Sequence, residues 1–191
     1  TNVLASADQG CRALELLDDA LSLADLAPSE HAARNLRLYV AGNLANIHLA
    51  CGDHLAAARE AETAQELAVQ LANRDQYLES LLTLGVCERL SGQLPASRVT
   101  LEAAARWSRL SEDKGREALS LAELAHTCVE MGRLEEAREF GKDALQQAIA
   151  TATRRAELSA QLALSAAYRH AALVQDARYH AAQAWEISSH L

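Results

Sequence analysis

Aromatic side chains are scarce in this 191-residue chain, with one Phe, two Trp and four Tyr. Proline occurs only twice, and the apolar content is dominated by Ala and Leu. That leaves little for β-strands, which draw on aromatic and β-branched residues, and it favours helices throughout. Cysteine is sparse too. Cys11, Cys51, Cys87 and Cys128 form no CxxC pair, and half of the residues are hydrophobic, so the chain can build a core without disulfide staples. Reduced thiols in a cytoplasmic protein are the expectation. No apolar run approaches the length of a bilayer crossing, and no charged segment followed by an apolar one opens the chain. Positive charge is also short, 18 Lys and Arg against 26 Asp and Glu, for a net charge of −8. With no local Lys/Arg block, such a chain repels a phosphate backbone, and direct binding of nucleic acid is not expected. Residue 1 is Thr rather than Met, which carries the expectation of a piece of a longer protein.

What is present is internal repetition. Leu44, Leu84, Leu124 and Leu164 are 40 residues apart, as are Ala57, Ser97, Ala137 and Ala177, and Ala64, Ala104, Ala144 and Ala184. Gly52, Gly92 and Gly132 keep the interval, with Ala172 in the last copy. Positions in phase across four copies point to a helical solenoid. Apolar and small residues at helical spacing predict helices over 5–26, 31–50, 54–72, 76–91, 94–110, 115–131, 133–149, 154–171 and 174–190. Short breaks such as Asn73-Arg74-Asp75 and Ser111-Glu112-Asp113 force neighbours to pack antiparallel and supply caps. Glycine at 52, 92 and 132 suits a helix end that turns through a left-handed residue. Alanine at 57, 64, 137 and 144 lets two helix backbones approach closely. The expected fold is therefore all-α, an α-solenoid of antiparallel helix pairs. It forms one domain over 1–191, with a partial repeat at 1–30 and repeats near 31–72, 73–112, 113–152 and 153–191.

These residues carry a family resemblance. Leu44-Ala45-x-x-His48, Gly52-Asp53, Ala57, Ala61 and Ala64 resemble the tetratricopeptide (TPR) pattern of Leu, a small residue, an aromatic, a Gly-Asp turn and small positions on the second helix. Leu84-Gly85 with Gly92, Leu124-Ala125 with Gly132-Arg133-Leu134-Glu135-Glu136-Ala137, and Leu164-Ser165-x-x-Tyr168 with Ala177 are similar. The interval departs from the commonest form, about 34 residues, and no copy has its early Trp or closing Pro. Long-period copies of this kind resemble those of bacterial signal-responsive regulators; HEAT-type arrays share the period but match the Gly turn and following Ala less well. The resemblance implies a right-handed superhelix that binds a protein or peptide on its concave face. It implies groove positions at Asn43, Asn46, Glu79, Leu82, Val86, Arg89, Glu123, His126, Glu130 and Arg169. Asn43 and Asn46 would pair with a peptide backbone, while Arg89, Glu130 and Arg169 would select charge. The plain alternative is that these are solvated polar residues on an unused face. A second functional reading is the peptide- or ligand-sensing arm of a larger transcription regulator or signal-transduction ATPase.

Other chemistry finds little support. His48, Cys51 and His54 form an H-x2-C-x2-H string, but Gly52-Asp53 turns the chain between them and His48 occupies the packing position of the family's aromatic, so no metal is expected. There is no nucleophile elbow, no Gly-rich phosphate loop and no Ser/His/Asp cluster, so neither an enzyme nor a cofactor is expected. Cys87 and Cys128 read as small core residues. Trp107 and Trp185 fall late in second helices, where they would cover the junction with the next pair; Trp185, at the open end, could instead mark a homodimer contact.

Overall fold

The computed structural model describes residues 16–17, 21–22 and 26–190. Among these residues it contains eight α-helices and no strand: α1 (Glu30–Ala50), α2 (His54–Gln70), α3 (Arg74–Leu90), α4 (Leu94–Leu110), α5 (Lys114–Glu130), α6 (Leu134–Ala150), α7 (Arg154–His170) and α8 (Val174–Ser188). The helix expected over 5–26 lies outside the described residues, apart from Leu16, Leu17, Leu21 and Ser22, which are helical. No described helix is long and apolar enough to cross a membrane.

Each pair of successive helices is joined by three residues, the middle one left-handed. Gly52, Gly92 and Gly132 have φ of 81°, 77° and 74°, as their residue type suggests. The same conformation recurs at Ala72, Glu112, Ala152 and Ala172, with φ between 50° and 59°. The cause is the helix end itself. The amide of the next residue returns to a carbonyl of the last turn, as in Asn73 to Ala68 at 2.8 Å, Arg133 to Cys128 at 2.8 Å and Leu173 to Tyr168 at 2.9 Å, and that closure requires a left-handed residue. Side-chain caps then start some of the following helices. Ser29, Asp53, Asn73 and Asp113 accept from backbone amides three residues on, whereas Gln93, Arg133, Thr153 and Leu173 make no such bond.

Two compact units contain these helices, Thr1–Gly92 and Gln93–Leu191. In the first, α2 packs against α1 and α3, and α1 also lies against α3. Its core joins Leu38, Ala41, Ala64 and Ala68 with Leu67, Leu71 and Tyr77. In the second, each helix from α4 to α8 packs on the next, and α5 lies against α7. Ala105, Leu121, Ala122, Ala144 and Ala160 form its core with Phe140 and Leu145 beside them, and Cys128, Ala137 and Ala167 form a neighbouring cluster. Small residues set the spacing: Ala57 and Ala137 are fully buried, and a Cβ placed on Gly141 of α6 would lie 2.8 Å from Leu164 Cδ2 of α7. Leu38, Leu101, Leu124 and Leu164 are fully buried, each contributing about 1.5–3 kcal/mol.

Two buried polar arrangements add registration to the second unit. Ser97 stands where the other copies have Ala, and its Oγ lies 3.0 Å from Thr127 Oγ1, which donates to the Glu123 carbonyl. Glu117, only 1% exposed, accepts from Arg109 Nε at 2.7 Å and Lys114 Nζ at 2.9 Å. Burial pushes its pKa up, but the hydrogen bonds from Lys114, Arg109 and Gln147 outweigh burial and hold it below the ordinary carboxylate value.

Candidate functional site

Helices α1, α3, α5 and α7 carry the positions expected to bind a partner. In the first unit, Asn43 and Asn46 are exposed on α1, and Asn43 Nδ2 already donates to the Tyr39 carbonyl at 2.7 Å. Glu79 of α3 is half-buried on the rim of a small cleft lined by Gly42, Ala45, Ala61, Ala64, Gln76, Ser80 and Thr83. Arg89 is half-buried near the end of α3. Leu82 is a core residue rather than a groove residue: its side chain is apolar and the packing of α3 takes it in.

In the second unit, three of the expected residues lie on α5 and one on α7. His126 Nε2 lies 3.1 Å from the Ser159 carbonyl; because a carbonyl can only accept, Nε2 is the donor. Ser159 Oγ donates to Glu123 Oε1 at 2.8 Å. Glu123, His126 and Ser159 therefore tie α5 to α7 across the repeat. The trio is not wired as an activated nucleophile, since the imidazole bonds the serine's carbonyl and not its hydroxyl. Glu130 and Arg169 are exposed near the C-terminal ends of α5 and α7.

Two residues of α7 extend this face beyond what the sequence reading named. Arg155, Leu162 and Arg169 follow each other at seven-residue steps, two helical turns each, and all three are exposed, Leu162 at 46%. The signal was present in the sequence as that heptad spacing. At 1.5 Å per residue, the two arginines are separated by about 21 Å along the helix, with an apolar side chain midway.

Elsewhere, α8 is held to α7 by aromatic and polar contacts. His180 stacks on Tyr168 with ring centroids 5.3 Å apart, and its Nδ1 lies 2.7 Å from Oε1 of the buried Gln161. Burial pushes the His180 pKa down, Asp176 opposes this and Lys142 adds to it. Cys87 and Cys128 are buried; burial raises both thiols, Cys87 to about 11. Among the described residues, no three His, Cys, Asp or Glu side chains are arranged to hold a metal ion.

Comparison with solved structures decides the fold. The chain is similar to BtubC (BKLC) from P. vanneervenii, with a TM-score of 0.71 and 19% identity over 98% of this chain and 75% of that one. A putative kinesin light chain from Podosopora anserina, described as nearly identical TPR-like repeats, matches in two structures. One has a TM-score of 0.69 and 20% identity over 96% of this chain and 88% of that one. The other gives 0.66 and 22% over 96% and 89%. The fold is TPR-like. No protein-family model matches the sequence, and no curated protein does.

Proposed function

We propose that this chain is a protein-interaction scaffold whose second unit holds an extended acidic segment of a partner. The observation that carries the reading is the α7 stripe, in which Arg155 and Arg169 flank the exposed Leu162. Guanidinium groups recognise carboxylates in bidentate geometry, and the leucine between them gives an apolar side chain a seat. An extended peptide advances about 3.3 Å per residue, so two acids roughly six residues apart match the arginine separation. The net charge of −8 opposes an acidic ligand at long range, but salt screens charges beyond about 8 Å and leaves the local arginines to decide. On the same reading His126 and Glu130 border the segment on α5. In the first unit, Asn43, Asn46, Glu79 and Arg89 form a set of their own that offers backbone pairing and charge selection. Arrays of helix pairs commonly bind partners along such faces, which supports a non-catalytic role.

The test uses a fluorescein-labelled peptide, Glu-Ala-Ala-Leu-Ala-Ala-Glu, and its Lys counterpart, with binding followed by polarisation. The acidic peptide binds and the basic one does not. Arg155→Glu with Arg169→Glu weakens binding by about tenfold or more, the loss of about 1.4 kcal/mol. Equal binding of both peptides, or an unchanged affinity in the double variant, removes the α7 stripe from the account.

A further inference from the structure

We infer that the cleft between α1, α2 and α3 in the first unit seats the ammonium group of a lysine side chain from a protein partner. The inference rests on the reading of the chain as an interaction scaffold but not on the α7 stripe, which lies in the other unit. The floor of the cleft is made of residues that reach no further than Cβ, Gly42 and Ala45 of α1 with Ala61 and Ala64 of α2. Its wall is polar and comes from α3, with Gln76, Glu79, Ser80 and Thr83. The cavity volume is about 10 Å³, room for one group the size of a water molecule.

The wall presents acceptors. The Ser80 hydroxyl already donates to the Tyr77 carbonyl at 2.9 Å, so its oxygen has only lone pairs left to offer. The Gln76 amide turns its oxygen inward, since a Cβ built on Gly42 would lie 3.2 Å from Oε1. Thr83 is only 6% exposed, and among the described residues neither its hydroxyl nor the Glu79 carboxylate has a hydrogen-bond or ion-pair partner. No basic residue lines the cleft. Packing alone does not demand this polar wall. Counted from the helix starts at Arg74 and Arg154, α7 carries Ala156, Ser159 and Ala163 where α3 has Gln76, Glu79 and Thr83.

A lysine ammonium answers each of these features. It is a compact cation with three N–H donors on a flexible stem. One N–H meets the Glu79 carboxylate, and the others meet the oxygens of Gln76 and Thr83. A guanidinium is too wide for a space of one water, and a trimethylated ammonium is both too wide and without N–H donors. A water fits but brings no charge to Glu79. The net charge of −8 attracts a cationic segment at long range.

The test is an NMR titration of the whole chain with the blocked peptide acetyl-Ala-Ala-Lys-Ala-Ala-amide. Counterparts carry arginine, trimethyllysine or norleucine in place of the lysine, and an all-alanine peptide carries a free N-terminal amine. The lysine peptide shifts the backbone amides of Gly42 and Thr83 with a Kd of about 1 mM, and the others bind about tenfold more weakly or worse. Glu79→Gln keeps the shape and removes the charge. Gly42→Ala places a methyl beside Gln76 Oε1, in a helix interior that favours alanine. Each variant weakens the lysine peptide by about tenfold, with unchanged helix content by circular dichroism. Arg155→Glu with Arg169→Glu leaves the lysine peptide unaffected, which separates this seat from the α7 stripe. Equal binding of the arginine or norleucine peptide, preference for the free N-terminal amine, an unchanged affinity in either cleft variant, or shifts confined to the second unit overturns the seat.

Discussion

The left-handed link residues offer a test in which backbone strain is isolated from packing. Gly132 has φ of 74° and a Cβ added there meets nothing within 4 Å, while Ala172 holds the equivalent position with φ of 59°. An L-residue in this conformation carries a strain of roughly 1–2 kcal/mol. Glycine relieves it but gains freedom in the unfolded chain worth about 0.4–1 kcal/mol, so the two effects partly offset. Ala172→Gly is therefore expected to stabilise by about 0.5–1 kcal/mol, and Gly132→Ala to destabilise by the same amount. The return bonds, Leu173 to Tyr168 and Arg133 to Cys128, are unaffected because only the middle residue changes. Adding Ala152→Gly should bring the sum to about 1–2 kcal/mol, since the 17 residues of α7 separate the two links. Urea unfolding followed by far-UV circular dichroism reads the change in midpoint, with the slope constant. A destabilised Ala172→Gly, or a Gly132→Ala variant equal to the wild type, refutes the strain argument.

Three further outcomes follow from the second unit. Gly141→Ala forces a methyl to 2.8 Å from Leu164 Cδ2 and 2.9 Å from its Cγ, inside a fully buried contact, and thermal unfolding should show a loss of about 1–3 kcal/mol; Gly52→Ala, with open space around it, lacks this packing penalty. Glu117→Gln should cost about 1–3 kcal/mol at neutral pH by weakening charged hydrogen bonds. Because the folded pKa of Glu117 is depressed, its contribution is present above the unfolded value and fades as pH falls below about 4.3 through the folded one. The stability gap between wild type and Glu117→Gln therefore narrows on acidification, and a gap that widens contradicts the assignment. For Ser97 and Thr127, a double-mutant cycle with Ser97→Ala and Thr127→Val should report coupling of about 0.5–1.5 kcal/mol, and additive losses would deny the hydroxyl pair.

Much of the fold was legible because each helix carries its own apolar phase and each link its own break. Predicted boundaries such as 54–72 and 94–110 lie close to the observed His54–Gln70 and Leu94–Leu110. Glycine marked the left-handed turn at 52, 92 and 132, but at Ala72, Glu112 and Ala152 the same conformation has no residue signature, since helix-end hydrogen bonding imposes it. The candidate face was less readable. Leu82 and His126 both follow from the family's groove positions, yet one is taken into the core and the other bonds Ser159 from a helix 33 residues on. Cross-helix partners of that kind do not register in local spacing. Arg155 and Leu162 were recoverable from their heptad relation to Arg169, which a reading by family positions passes over.

The three-residue links have a consequence for how the chain reaches this state. Within each unit, helices touch only their sequence neighbours or the helix after next, so contact order is low and every closure spans a short stretch. Such a topology has no obligatory starting point: any adjacent hairpin can nucleate, and the remainder adds by zippering outward. A nascent chain leaving the ribosome could begin ordering as soon as its first two helices emerge, well before the last has been synthesised.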